Sequence, residues 1–136
     1  MFNHQKETQV KLTKGLLDMI VLQMLKSSPM HGYQIITTIR KHFGVYFGPS
    51  TVYPMLGTLE KKGYIASKWN MDSERPRKVY SLTTDGESML AFTEGSLNLI
   101  CRTMTKTYNL EASIAMQTRA ASGAGNKAMH TSTFAR

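Results

Sequence analysis

Cysteine is nearly absent. The 136-residue chain has one, Cys101, so no internal disulfide can form. That suits a reducing compartment and a cytoplasmic protein. No base stands near Cys101 in the sequence to make it a nucleophile. No Cys pair supports zinc, and His4, His31, His42 and His130 show no metal-ligand spacing such as H-x-x-x-H. Glycine-rich phosphate loops and nucleophile elbows are missing too. These gaps exclude the common enzyme signatures, so we expect no catalysis, no metal and no cofactor. No apolar run approaches the roughly 20 residues of a membrane span. The polar start MFNHQKETQVKLTKG lacks the apolar core of a signal peptide. The expectation is therefore a protein with no membrane partner.

Acidic residues are also scarce, nine against 17 basic, for a net charge of +8. The excess is regional. Between Arg40 and Tyr80, eight basic residues face three acidic ones, a net +5. Between Ser81 and Tyr108, two face three, a net −1. A basic region on a small protein suggests a polyanion partner. A solvated lysine-rich surface would give the same sum.

At 41% hydrophobic, the composition is that of a globular chain long enough for one core. KGLLDMIVLQMLKSS is apolar nearly all round, the pattern of a buried helix. SSPMHG breaks it, and His31 stands where it would cap the next helix. That helix, YQIITTIRKHFG, sets Tyr33, Ile36, Ile39 or Arg40, and Phe43 on one face, with Gly44 as its stop. A third helix follows after VYFG. This is helix, helix, tight turn, helix, the order of a helix-turn-helix unit. YIASKWNM and RKVYSLT then read as strands joined by the polar turn DSERPR. A hairpin after a helix-turn-helix unit makes a winged helix.

TTDGESML opens the last helix, with Thr84 and Glu87 spaced as a capping box. Its stripe runs through Met89, Phe92 or Thr93, Leu97, Ile100, Met104 and Tyr108. An apolar stripe of that length needs a covering surface, and a second copy of the chain is the simplest one. Leu110, Ile114 and Thr118 could extend this helix or form another, and the small polar residues after Ala121 suggest disorder. The predicted fold is mainly α with a small β-hairpin, a winged helix-turn-helix plus a long C-terminal dimerisation helix. Its parts are a flexible arm (1–12), the winged helix-turn-helix domain (13–83), the dimerisation helix (84–108, with Met89, Leu97, Ile100, Met104 and Tyr108 at the interface) and a tail (109–136), partly helical or disordered.

The third helix, FGPSTVYPMLGTLEKKGY, is made of poor helix formers. Pro49 fits at the first helical position, but Pro54 and Gly57 lie deeper. On a wheel, Val52, Leu56 and Leu59 face inward. Ser50, Pro54, Gly57, Thr58 and Lys61 face outward, with Thr51 and Tyr53 at the N-terminal end. Such a narrow, hydroxylated face suits the DNA major groove, about 12 Å wide, where short side chains reach base edges only at close approach. The turn after it carries Arg75, Arg77 and Lys78, which could hold phosphates or enter the flanking minor groove. A winged helix acting as a protein-interaction scaffold, without specific DNA binding, is the alternative. It would show an acidic or apolar face there.

LDMIVLQML, HGYQI, STVYPMLGTLEKKGYI and RPRKVYSLTTDGESML, in that order, resemble the PadR-like transcriptional regulators over roughly residues 16–90. The resemblance implies a homodimer that represses transcription by binding promoter DNA, with dimerisation through the C-terminal helix. Many such proteins respond to small molecules, such as phenolic acids or hydrophobic drugs. Carried onto this chain, the resemblance assigns Ser50, Thr51, Tyr53 and Pro54 to the recognition helix. It assigns Arg75, Arg77 and Lys78 to the wing. It makes Tyr53 partly a brace, Tyr33 and Tyr80 packing residues, and Gln34 a phosphate contact. Thr58 and Lys61 complete the expected DNA-binding set. The last helix holds no tryptophan, which argues against a flat aromatic drug site between subunits.

Overall fold

The structure, a computed structural model, describes residues 2–72 and 74–121. Its first element corrects the expected arm. Residues Phe2–Gly15 form a helix, α1. No glycine or proline interrupts it before Gly15. The helix docks by polar contacts. Lys6 Nζ donates to the Gly44 carbonyl at 2.7 Å, and Gln9 Nε2 donates to the Phe43 carbonyl at 3.1 Å. Thr13 is buried, its hydroxyl donating to the Gln9 carbonyl.

Helix α2 (Leu17–Ser27) buries Leu17, Met19, Ile20, Val21, Leu22 and Leu25. A two-residue strand, β1 (Met30–His31), precedes α3 (Gly32–Phe43). His31 caps α3 as expected, through a reciprocal box. The Gln34 N–H donates to the His31 ring, and the His31 N–H donates to the Gln34 side chain. Gly44 ends α3 at φ 69°, in the left-handed region. The buried face of α3 is Ile35, Ile36 and Ile39. Tyr33 and Phe43, expected on it, are exposed at 67% and 38%. Tyr33 sits on the first turn, where α3 borders a surface cleft rather than the core.

Helix α4 (Pro49–Lys61) buries Val52, Leu56 and Leu59. Burying them contributes roughly 1.5–3 kcal/mol each. That outweighs about 3 kcal/mol for an interior proline and about 1 for a glycine. Tertiary burial therefore holds a helix that its own propensity would not. At its end, Gly63 (φ 84°) donates to the Glu60 carbonyl and Tyr64 to the Leu59 carbonyl, a Schellman turn.

That turn feeds strand β2 (Ile65–Asn70), paired antiparallel with β3 (Arg77–Leu82) from Ile65↔Leu82 to Asn70↔Arg77. Strand β1 adds to the other edge of β3 through Met30↔Tyr80 and His31↔Val79. The hairpin is thus part of a three-stranded sheet in the order β1-β3-β2.

Helix α5 runs Thr84–Ala121, past the expected end at Tyr108. Its cap is Thr83, one residue before the T-x-x-E reading. The Thr83 hydroxyl accepts from the Gly86 N–H at 3.0 Å, and its carbonyl accepts from the Glu87 N–H at 2.9 Å. The chain divides into two compact units, the first ending at Ser96 and the second beginning at Leu97. In the first, Leu90 is buried and Glu94 accepts from Gln23 on α2. In the second, Leu99, Ile100, Met104, Leu110, Ile114 and Met116 are exposed. The Tyr108 side chain and the expected disorder after Ala121 lie outside the described residues. No helix among the described residues is long and apolar enough to cross a membrane.

Candidate nucleic-acid interface

Gly48 caps α4 and Pro49 occupies its first turn, so the missing N–H of Pro49 is no loss. The Thr51 and Val52 N–H groups both close onto the Gly48 carbonyl. With the apolar side inward, Ser50, Tyr53, Pro54, Gly57, Thr58 and Lys61 are exposed and Thr51 is half-buried. The Thr58 hydroxyl donates to the Pro54 carbonyl at 3.1 Å and keeps its lone pairs outward to accept. A Cβ placed on Gly57 would meet nothing within 4 Å. This stretch of surface is therefore backbone and short side chains.

Tyr53 leans from α4 onto the start of α3. A Cβ at Gly32 would come within 2.5 Å of the Tyr53 ring, so the glycine makes room for it. Tyr53 is still 44% exposed, so it can brace the two helices and also face outward. The Gln34 side-chain oxygen accepts from the His31 N–H at 3.1 Å, and Gln34 is exposed at the start of α3.

On the wing, Arg75 and Arg77 are exposed and Lys78 is half-buried. Lys78 Nζ lies 5.9 Å from the centroid of the buried Tyr80 ring, a cation–π arrangement. Arg77 Nη1 stands 3.0 Å from His31 Nε2. Burial, and then the Arg77 charge, hold the His31 pKa below its ordinary value. Burial, then the Glu60 carboxylate and Tyr53, raise that of Tyr80. Glu60 itself is turned to the sheet, accepting from the Ser67 hydroxyl at 2.6 Å.

Between the wing and the starts of α3 and α4 lies an open cleft of about 700 Å³. Tyr33, Tyr53, Trp69 and Tyr80 supply its rings, and Arg75, Arg77 and Lys78 its charge. No acidic residue is among the described residues lining it. No group of described residues could hold a metal ion. The structure thus brings Tyr53, Arg75, Arg77 and Lys78 together at the cleft and sets Ser50, Pro54, Thr58 and Lys61 on the outer face of α4. Tyr33, Trp69 and His31 join the cleft without having been expected there. The alternation Ile65, Ser67, Trp69 put Trp69 on the face of a core residue, yet it is 62% exposed because β2 runs out beyond the core.

Residues 21–92 match the family model described as the transcriptional regulator PadR-like family. A PadR family transcriptional regulator from Eggerthella lenta DSM 2243 is similar, with a TM-score of 0.71 and 29% identity, over 78% of this chain and 93% of that one. A PadR family transcription regulator from Clostridium difficile R20291 gives 0.63 and 25%, over 68% and 98%. Bacillus subtilis PadR, solved in complex with operator DNA, gives 0.52 and 25%, over 56% and 45%. None of the curated proteins matches the chain. With more than half its length inside the family model, the chain belongs to the PadR-like family of transcriptional regulators.

Proposed function

We propose that the protein is a homodimeric repressor that binds a pseudo-palindromic promoter site in double-stranded DNA. The observation that carries this reading is the pairing of two surfaces. A bare helix face, open at Gly57, lies on the same unit as a cationic cleft with no acid among its described lining residues. The first has the shape to enter a major groove, and the second has the charge to hold backbone. The complex of Bacillus subtilis PadR with operator DNA supports the same partner class.

Met89 and Leu97 are half-buried, and Ile100 and Met104 are exposed at 55% and 62% on α5. This surplus of apolar surface supports a second copy as its cover. Two-fold symmetry would place the half-sites about 10 bp apart or a multiple of that. A hydrophobic small molecule between the paired helices would then act as an effector that releases DNA.

The test is fluorescence anisotropy with the gene's own upstream region and a scrambled duplex of equal length, over a salt series. Tighter binding to the upstream region, persisting at salt that removes the scrambled complex, is the expected result. Equal binding to both, vanishing with salt, followed by a random-sequence selection that returns no motif, would favour the protein-interaction scaffold instead.

A further inference from the structure

Helix α4 carries a single acid, Glu60. It stands seven residues after Tyr53, which returns it to the same flank of the helix, the one beside the cleft. A mobile carboxylate on that flank would oppose a polyanion. The structure turns it away. The Ser67 hydroxyl donates to Glu60 Oε2 at 2.6 Å, across the turn between α4 and β2. That length is typical of a bond to an ionised carboxylate, which is stronger than one between neutral groups. Both residues are half-buried, which strengthens the bond further against competition from water.

Ser67 is well placed to hold this acid. It pairs across the sheet with Tyr80, and its side chain shares a face with that of Trp69, two residues on. Tyr80 and Trp69 both line the cleft, while Glu60 and Ser67 are not among the described residues lining it. Burial first, and then the Glu60 charge, raise the Tyr80 pKa, so the carboxylate lies close behind the cleft wall. Resting on the DNA-binding reading above, we infer that Ser67 is a positioning residue that masks Glu60. Its hydroxyl keeps the carboxylate out of the cleft, and so raises affinity for DNA without touching it. Without that bond the Glu60 side chain rotates, and Arg75, Arg77 and Lys78 attract its charge. A carboxylate drawn toward them offsets one of their charges and repels phosphate.

The experiment measures anisotropy of labelled duplexes over a salt series for the wild type, Ser67→Ala, Glu60→Gln and the double variant. A thermal melt follows the fold of each. Ser67→Ala should weaken binding to any duplex, specific or scrambled, by about fivefold at low salt, and the loss should shrink as salt screens the carboxylate. Glu60→Gln alone should bind at least as tightly as the wild type. Adding Glu60→Gln to Ser67→Ala should restore wild-type affinity, because the charge is gone although the hydrogen bond stays broken. If the double variant stayed as weak as Ser67→Ala, the bond would be only a tie between α4 and the wing. That result would overturn the inference and leave the DNA-binding reading standing, as would wild-type affinity in Ser67→Ala. Absence of duplex binding by the wild type would overturn both.

Discussion

The outer face of α4 and the wing cleft lie on the same unit and differ in almost every chemical respect. The first is built from Ser50, Pro54, Gly57 and Thr58, with a charge only at Lys61. The second carries the rings of Tyr33, Tyr53, Trp69 and Tyr80 beside Arg75, Arg77 and Lys78. Removing bulk lets a backbone come close to base edges, where hydroxyls and methyls distinguish bases. Adding rings and charge gives area and attraction to a backbone that is the same at every step. The contrast teaches that close approach and strong attraction impose opposite demands on side-chain size. In the proposed reading, one small domain meets both by assigning them to separate elements. It also explains why α4 tolerates a proline and a glycine. Its stability comes from Val52, Leu56 and Leu59 on the other side.

The largest expected effect breaks both surfaces at once. A Cβ on the buried Gly86 would collide with the Tyr64 carbonyl and lie 2.7 Å from the Leu82 side chain. Tyr64 joins α4 to β2, and its carbonyl also accepts from the Thr83 N–H. Gly86→Ala should therefore cost about 1–3 kcal/mol. For a unit of this size that lowers the melting temperature by roughly 5–20 °C. An unchanged melt would show that the joint is looser than its packing implies. A smaller effect separates the surfaces. Thr51→Ala should alter base preference at one position of each half-site, by about 1 kcal/mol, with the salt slope unchanged. The smallest sharpens the contrast further. Gly57→Ala should stabilise the fold by up to about 1 kcal/mol, since its Cβ meets nothing and alanine favours helix. The same methyl should weaken DNA binding, because it thickens the face that must approach closely. A variant that is both more stable and equally tight would argue against α4 as the groove reader.

Much of this was legible because local chemistry and periodicity agree along α4. Pro49 at its start, Gly44 and His31 bounding α3, and the inward set Val52, Leu56 and Leu59 all stand where the spacing placed them. What was not legible depends on long-range partners. Helix α1 has few apolar residues to betray it, because it docks through Lys6 and Gln9 onto the last carbonyls of α3. Strand β1 is two residues long, next to Pro29, and exists only because β3 offers it an edge. The α5 cap shifted to Thr83 because Gly86 presents its N–H there and packs bare against Tyr64. The start of α3 was legible only in part. The Tyr33 ring looked like packing and lies in the open, while the Gln34 amide looked outward and is half of a capping box. Tyr33 at the first turn of α3 carries no local signal that a wing stands opposite it.

The measurement that tests the division most directly compares Arg77→Ala with Thr51→Ala, each by random-duplex selection and by a salt series on the selected site. Arg77→Ala should keep the wild-type motif and lower the salt slope by about 1. Thr51→Ala should keep the slope and change the motif. If both variants lost affinity uniformly with the same motif and the same slope, the two surfaces would not divide the work, and recognition would have to lie elsewhere on the molecule.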